Sequence, residues 1–211
     1  MEKAKTITIT PPKFETAEIS IRGISPFVQL KFSQKAIDQI RATQEAGQAS
    51  RSKKTKAARD FNADFEGAIH RSEDGWAGIP ASAFRMAAID VCRMTGAKMT
   101  FAKMSVFVNA DGFDKTEGTP LVRIIGGEPE MTVAHVRNQT GVVDLRARAM
   151  WREWAAKVSV TWDADQFSLQ DIVNLYNRAG MQVGVGEGRP FSKNSAGMGW
   201  GMFTVTEVKT V

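Results

Sequence analysis

Two histidines of this sequence have side chains suited to acid–base chemistry near neutral pH, and both lie close to an arginine. His70 is followed by Arg71, and His135 lies two positions before Arg137. A histidine can act as a general base on a 2′-hydroxyl while an arginine stabilises the charge that develops on phosphate. A lone histidine is more often structural, however, so the sequence favours a protein that is not an enzyme.

Other catalytic patterns are missing. A single cysteine, Cys92, and two histidines argue against a dedicated zinc site. Asp163 and Asp165 follow Trp162 and are better explained as a turn that leads into a helix than as paired metal ligands. The sequence has no Gly-Lys-Ser/Thr of a P-loop, and its glycines do not follow a strand as in a Rossmann turn. We therefore expect neither a metal nor a cofactor.

A glycine-rich stretch near the C-terminus is the most unusual part of the chain. Six glycines fall within residues 184–201, interspersed with Arg189, Lys193 and Trp200. So many glycines do not suit a helix or an ordinary strand, because each costs backbone entropy there. They are expected where the backbone approaches something closely, either a ligand such as phosphate or another part of the protein.

A second unusual segment is basic. Residues 51–59 contain five cations and no acidic residue, namely Arg51, Lys53, Lys54, Lys56 and Arg59. Five cations without counter-charges repel one another unless an anion joins them. The sequence predicts a flexible basic insertion at about 47–60, which either clamps phosphates or is merely a solvated segment.

A third set combines arginines with tryptophans. Arg146, Arg148 and Arg152 lie beside Trp151 and Trp154. Cations that follow a phosphate backbone and aromatic faces that stack bases are typical of single-strand binding. The alternatives are that the tryptophans belong to the core or to a subunit interface, and that Arg146 and Arg148 are the solvent face of a sheet. The net charge of +5 is compatible with an anionic partner.

The elements that must position these residues follow from hydrophobic periodicity. Alternating residues predict strands, and apolar residues three and four apart predict helices with capping signals at their ends. The expected strands are 6–10, 16–23, 27–32, 105–108, 121–125, 131–136, 142–148, 156–162 and 203–208, and the expected helices are 34–46, 61–69, 82–95 and 169–179. This order predicts an α+β fold with an antiparallel, ferredoxin-like or RNA-recognition-like sheet core that carries helices and insertions.

Composition indicates one domain over residues 1–211. The chain is 43% hydrophobic, so it can bury a core of ordinary size. No apolar run approaches the length of a membrane span, and the first residues do not resemble a signal peptide. One cysteine is compatible with a reducing environment, so we expect a cytoplasmic protein without a membrane partner.

Two pieces of the sequence resemble the RAMP superfamily of CRISPR-associated proteins. Residues 78–85, Gly-Ile-Pro-Ala-Ser-Ala-Phe-Arg, resemble its helix entry, and the glycines of residues 185–189 and 197–201 resemble its C-terminal glycine-rich loop before a final strand. The resemblance covers about 130 residues. It implies a modified RNA-recognition, ferredoxin-like fold that binds RNA, either in backbone subunits that polymerise along guide RNA with a basic loop or thumb, or in metal-independent ribonucleases that use a histidine.

From these observations we expect a protein that binds single-stranded RNA or DNA and forms a homo-oligomer or filament along it. It would be similar to a RAMP backbone subunit, or to a phage or mobile-element relative. The alternatives are a self-assembling phage structural protein and a metal-independent, RAMP-like endoribonuclease. The expected binding residues are Arg51, Lys53, Lys54, Lys56, Arg59, Arg85, Arg146, Arg148, Arg189, Lys193 and Trp200, with Arg85 and Arg189 near the glycine-rich backbone.

Overall fold

The computed structural model describes residues 9–32, 34–45, 59–137, 143–192 and 197–211. In chain order, the elements within these ranges are β1 Phe14–Gly23, β2 Phe27–Gln29, α1 Gln34–Glu45, α2 Phe61–Gly67, β3 Gly78–Pro80, α3 Ala81–Thr95, α4 Met99–Ser105, β4 Val106–Asn109, β5 Gly112–Phe113, β6 Pro120–Arg123, β7 Glu130–Arg137, β8 Val143–Trp151, β9 Ala155–Asp163, α5 Leu169–Arg178 and β10 Phe203–Thr210.

The main sheet has four strands in the order β10-β1-β9-β4, and each neighbouring pair is antiparallel. Helix α3 lies between β1 and β4 in the chain, and α5 lies between β9 and β10. A β-α-β-β-α-β order with this strand arrangement is the ferredoxin-like fold. The structure therefore confirms the predicted α+β class and the antiparallel ferredoxin-like core.

The alternation of β1 and β9 explains why these strands form the centre of the sheet. Ala17, Ile19 and Ile21 are at most 1% exposed, and Val158 and Val160 opposite them are fully buried. Successive side chains of a strand point to opposite faces. One face therefore packs under α3 and α5 while the other carries polar residues, as the sequence predicts.

Helix α3 ends and helix α5 begins where their capping residues predict. Helix α3 ends at Gly96, which has φ of 76°. Helix α5 begins at Ser168, whose hydroxyl oxygen accepts a hydrogen bond from the Asp171 N–H in a capping box. The hydrogen bonds that the Ser168 hydroxyl and N–H donate to the Asp171 carboxylate lower the pKa of Asp171.

Two smaller sheets lie between the core elements, in the orders β2-β8-β7 and β3-β6-β5. Trp151 and Trp154 are 2% and 3% exposed, and each ring centroid lies 5.4 Å from that of Phe27. The indole N–H of Trp154 donates to the Ser25 carbonyl at 2.9 Å. These tryptophans therefore join the second sheet to the core, and they do not stack bases.

Two helices differ from the sequence predictions. Helix α4 was not predicted, and it leads directly into β4. Gly180 does not end α5, because the helix continues as a π-helical turn over Ala179–Val183. A Cβ at Gly180 would lie 2.0 Å from the carbonyl oxygen of Phe203, so this glycine permits close packing against β10.

Two predictions fall largely outside the described residues. The strand expected at 6–10 is described only at residues 9 and 10, which are not in a strand. Of the basic insertion at about 47–60, the structure describes only Arg59 and Asp60. Within the described part of the chain, no helix is long and apolar enough to cross a membrane.

Candidate nucleic-acid interface

Three arginines line strand β8. Arg146 and Arg148 belong to the strand, and Arg59 binds to Asp144 near its start. Arg59 donates from Nη1 to Asp144 and from Nε to Asp64, each at 2.7 Å. Arg146 Nε lies 3.7 Å from the other oxygen of Asp144. The side chains of Arg59 and Arg146 are 41% and 40% exposed. Ion pairs at such exposed positions contribute at most about 1 kcal/mol, so a phosphate can replace the carboxylate.

Arg148 differs from its neighbours because it is buried. It is 5% exposed, and its Nη2 donates to a carboxylate oxygen of Glu187 at 3.0 Å. Among the described residues, its buried Nε has no hydrogen-bond partner. This corrects the alternative in which Arg148 is on the solvent face. A buried donor without a partner costs about 1–3 kcal/mol, so the arrangement is not the most stable one for this arginine.

The glycine-rich loop, residues 184–201, packs on the protein itself. All six of its glycines have positive φ. A Cβ at Gly186 would lie 2.4 Å from the Phe27 ring, and one at Gly201 would lie 1.8 Å from the carbonyl oxygen of Val185. The close approach that the sequence predicts is therefore mainly to other parts of the chain. Gly199 is the exception, since a Cβ there would meet nothing within 4 Å.

The polar and aromatic residues of this loop are partly engaged. Trp200 is half-buried, and its ring packs against Gly188 so closely that a Cβ added there would lie 2.6 Å from the nearest ring atom. Arg189 donates from Nη1 to the Gly186 carbonyl at 3.2 Å, which places it beside the glycine backbone as expected. Lys193 lies outside the described residues.

Arg85 does not lie where the sequence placed it. Its Nε donates to the Val106 carbonyl at 2.8 Å, and its Nη2 donates to the Lys103 carbonyl. The glycine-rich loop instead lines a pocket together with Ser82 and Met86 of the same helix. The expectation that Arg85 lies near the glycine-rich backbone is therefore wrong, because Arg85 is on the side of α3 that packs against α4 and β4.

His70 belongs to a buried polar cluster that the sequence analysis missed. Asp114, whose side chain is fully buried, accepts from Lys31 Nζ at 2.7 Å and lies 2.9 Å from His70 Nδ1. Burial by itself raises the pKa of Asp114, but hydrogen bonds from Lys31, from the Thr116 hydroxyl and from the N–H groups of Thr116 and Glu117 outweigh it. The pKa of this carboxyl therefore lies well below its usual range.

The same cluster fixes the main chain around His70. The side-chain oxygen of Gln29 accepts from the His70 N–H at 2.9 Å, and its amide donates to the Gly78 carbonyl at 2.9 Å. The bond between Lys31 and Asp114 joins segments that are 83 residues apart in sequence, so the cluster anchors these segments to each other. Local sequence signals cannot reveal such a pairing.

Arg71, expected to assist His70, is paired with acidic side chains, and the second histidine, His135, is exposed. Arg71 Nη2 lies 3.6 Å from Glu66 and 3.5 Å from Glu128, and its Nη1 donates to the Gly75 carbonyl at 3.3 Å. His135 is exposed on β7, opposite Leu145 of β8. Among the residues that the structure describes, no group of three His, Cys, Asp or Glu side chains is placed to hold a metal ion.

The structure thus gathers some of the predicted residues and separates others. Arg59, Arg146 and Arg148 lie along β8, and Glu187 connects this strand to the loop that holds Arg189 and Trp200. Arg85 lies apart from them. Arg51, Lys53, Lys54, Lys56 and Lys193 are outside the described residues.

Comparison with known proteins gives structural likenesses but no match by sequence. No family model matches the sequence, and no curated protein matches it. One similar solved structure is a chain in a cryo-EM structure of the Type III-B Cmr-beta bound to cognate target RNA, with a TM-score of 0.49 and 10% identity. The match covers 94% of this chain and 61% of that chain, so the present sequence spans less than two thirds of its length.

Proposed function

We propose that the protein binds single-stranded nucleic acid, RNA or DNA, along β8 and through the basic segment that ends at Arg59. The observation that carries the proposal is the anchoring of Arg59 on β8. Its hydrogen bond to Asp144 joins the end of the basic segment 51–59 to the strand that bears Arg146 and Arg148. Cations that are separate in sequence therefore share one surface.

The chemistry of this surface suits a polyanion. The carboxylates that accompany Arg59, Arg146 and Arg148 are partly exposed, with side-chain exposures of 33–41%. Phosphates can replace them, and each phosphate that a cation neutralises releases bound counterions. The cations outside the described residues, Arg51, Lys53, Lys54, Lys56 and Lys193, are proposed to contact the same strand, and Arg189 and Trp200 are proposed to meet it at the glycine-rich loop.

We further propose that the protein is similar to RAMP-type backbone subunits and oligomerises along the strand. One face of the β7–β8 ribbon supports self-association, because Met131, Val133, Val143 and Leu145 on it are 39–55% exposed. Apolar side chains that share one exposed face are typical of contact surfaces. Mass photometry on strands of increasing length should show stepwise addition of subunits, and V133K/L145K should reduce the number bound per strand.

The test of binding is a charge-matched comparison. K53Q/K54Q/K56Q should weaken binding to a labelled single strand and reduce the slope of log affinity against log salt by about 2, since each phosphate contact contributes about 0.7. The control K115Q/K157Q/K209Q removes the same charge from other exposed positions and should leave the slope nearly unchanged. Equal losses in both variants would contradict a specific basic surface, and no binding by the wild-type protein would refute the function.

A metal-independent endoribonuclease is the second candidate, and one contact favours it. His70 Nδ1 lies 2.9 Å from Asp114, which is the arrangement that orients a general base. The His70 side chain is only 11% exposed, however, so the contact suits anchoring better. Cleavage of bound RNA that H70Q abolishes without loss of binding would establish the catalytic role.

A further inference from the structure

A second exposed surface, which we call the aromatic corner, lies where α4, β4 and the start of β1 meet. It presents three phenylalanine rings, Phe14, Phe101 and Phe107, that are 50%, 49% and 38% exposed. Phe14 and Phe107 form an edge-to-face pair with ring centroids 6.0 Å apart. Exposed aromatic rings at this density are unusual on a surface that nothing covers.

Cations accompany these rings. The Arg85 guanidinium lies over Phe107 at 5.1 Å, and Lys98 Nζ lies over Phe101 at 5.4 Å. Lys103 is exposed on the same helix as Phe101. The chain from Arg93 to Asn109 contains no acidic residue. Within the described part of the chain, neither Lys98 nor Lys103 has a carboxylate at ion-pair distance.

The sheet face beside the corner carries polar side chains. Thr16 and Thr161 share a hydrogen bond of 2.9 Å, and the Asn109 amide donates to the Ser159 and Thr161 hydroxyls at 3.0 and 2.9 Å. These side chains lie on the face of β1, β4 and β9 opposite the core. Their hydrogen-bond donors and acceptors lie beside the rings. Such groups suit the edges of planar heterocycles.

We propose that the aromatic corner binds unpaired bases of single-stranded nucleic acid, as a second contact surface for the strand held at β8. Bases stack on Phe101 and Phe107 while Lys98 and Lys103 meet the adjoining phosphates. The cations over Phe101 and Phe107 and the hydrogen-bonding sheet face favour this occupant over a second copy of the chain, and the acidic residues of that face are Glu18 and Asp163, opposite Ser159 and Phe14. The proposal rests on the proposed function, because it assigns a further site for the same ligand.

The corner is separate from the β8 surface. Phe14 is the first residue of β1, and Gly23 at its other end precedes the turn into β2. Nine residue steps at about 3.3 Å place these ends about 30 Å apart. Arg85, which the sequence assigned to the glycine-rich loop, therefore belongs to a different contact with the strand.

Substitution of the rings separates stacking from charge. F101S/F107S should weaken binding to a labelled single strand about fivefold or more for each ring, with the salt slope unchanged. K98Q/K103Q should instead reduce that slope by about 1.4. The control F113S removes a ring that is 56% exposed on β5 and should bind like the wild-type protein.

Photocrosslinking identifies the contact directly. A strand substituted with 4-thiouridine should crosslink to peptides containing Phe101 or Phe107, as mapped by mass spectrometry, and F101S/F107S should lose these crosslinks. Unchanged affinity of F101S/F107S, or crosslinks at β8 alone, would overturn the proposal. Self-association without nucleic acid that F101S/F107S abolishes would assign the corner to a second copy, and ring-dependent binding to anionic vesicles alone would assign it to a membrane.

The outcomes also distinguish this proposal from the function on which it rests. If the wild-type protein binds no strand, the proposed function fails and the aromatic corner has no ligand of this class. If K53Q/K54Q/K56Q weakens binding while F101S/F107S does not, the function stands and the assignment of the corner fails. Circular dichroism spectra of each variant establish that the fold is retained before binding is compared.

Discussion

The glycine-rich loop and the aromatic corner differ in where their unusual residues point. In the loop, a Cβ on Gly186, Gly188 or Gly201 would collide with the protein itself, so these glycines allow tight packing. In the corner, Phe101 and Phe107 are exposed beside the Lys98 ammonium and the Arg85 guanidinium, and Lys98 has no carboxylate at ion-pair distance among the described residues. A conspicuous sequence motif can therefore serve stability, while an inconspicuous segment offers the free side chains that a ligand requires.

The largest effect should come from the loop. G201A should lower the free energy of unfolding by about 4 kcal/mol or more, because Gly201 has φ of 68° and its Cβ would meet the Val185 carbonyl at 1.8 Å. G199A should cost only about 1–2 kcal/mol, since it has a similar φ but open space around it. Urea denaturation measures both variants. Similar losses would show that conformation alone, and not packing, requires these glycines.

The buried carboxyl of Asp114 should have the next largest effect. D114N removes the nearer counter-charge of the buried Lys31 ammonium, leaving Glu117 at 3.9 Å, and should cost about 3 kcal/mol in urea denaturation. The control D74N alters an exposed carboxyl. Because the pKa of Asp114 is lower in the folded state than in the unfolded state, its stabilising contribution is complete above about pH 4 and is lost as the pH falls further. The wild-type protein should therefore lose more stability than D114N on acidification.

A smaller effect is expected where the loop meets β8. E187Q should cost about 1–2 kcal/mol, because the charged hydrogen bond to Arg148 becomes a neutral one. It should also raise affinity for a single strand several-fold, since a carboxylate no longer competes with phosphate at Arg148. E128Q changes the same charge at a residue that is 83% exposed and should do neither. Unchanged affinity of E187Q would restrict Arg148 to a structural role.

The smallest effect on stability is expected in the aromatic corner. F101S/F107S should lower the free energy of unfolding by about 1 kcal/mol or less, because exposed side chains contribute little to folding. Thermal unfolding followed by circular dichroism checks this. A loss as large as that of G201A would show that the rings belong to the core of the fold, and would remove the contrast between the two regions.

The fold was predictable because its strands and helices carry local signals. Every second residue is apolar in the two central strands, from Ala17 to Ile21 and from Ala156 to Trp162. These apolar residues are the buried ones. The capping box at Ser168 fixes the start of α5. These signals depend on neighbours a few residues apart, which a single sequence displays.

The candidate site was only partly predictable, because it depends on distant contacts. The sequence identified Arg146 and Arg148 but not their different burial, which depends on the position of Glu187. The sequence placed Arg85 near the glycine-rich loop, which is wrong. Helical periodicity shows which residues of α3 share a side, but not which other element packs against that side. Helix α4 was missed because Phe101 and Met104 are exposed and give no amphipathic stripe.

The most direct test of single-strand binding is fluorescence anisotropy of labelled single-stranded RNA and DNA, titrated with the wild-type protein over a salt series. We expect saturable binding whose log affinity falls linearly with log salt, and RNA that is intact on a gel afterwards. The preferred polymer would then distinguish a guide-RNA binder from a DNA binder. Absence of binding to both polymers, or affinity that is the same at low and high salt, would contradict the account and favour a self-assembling structural protein.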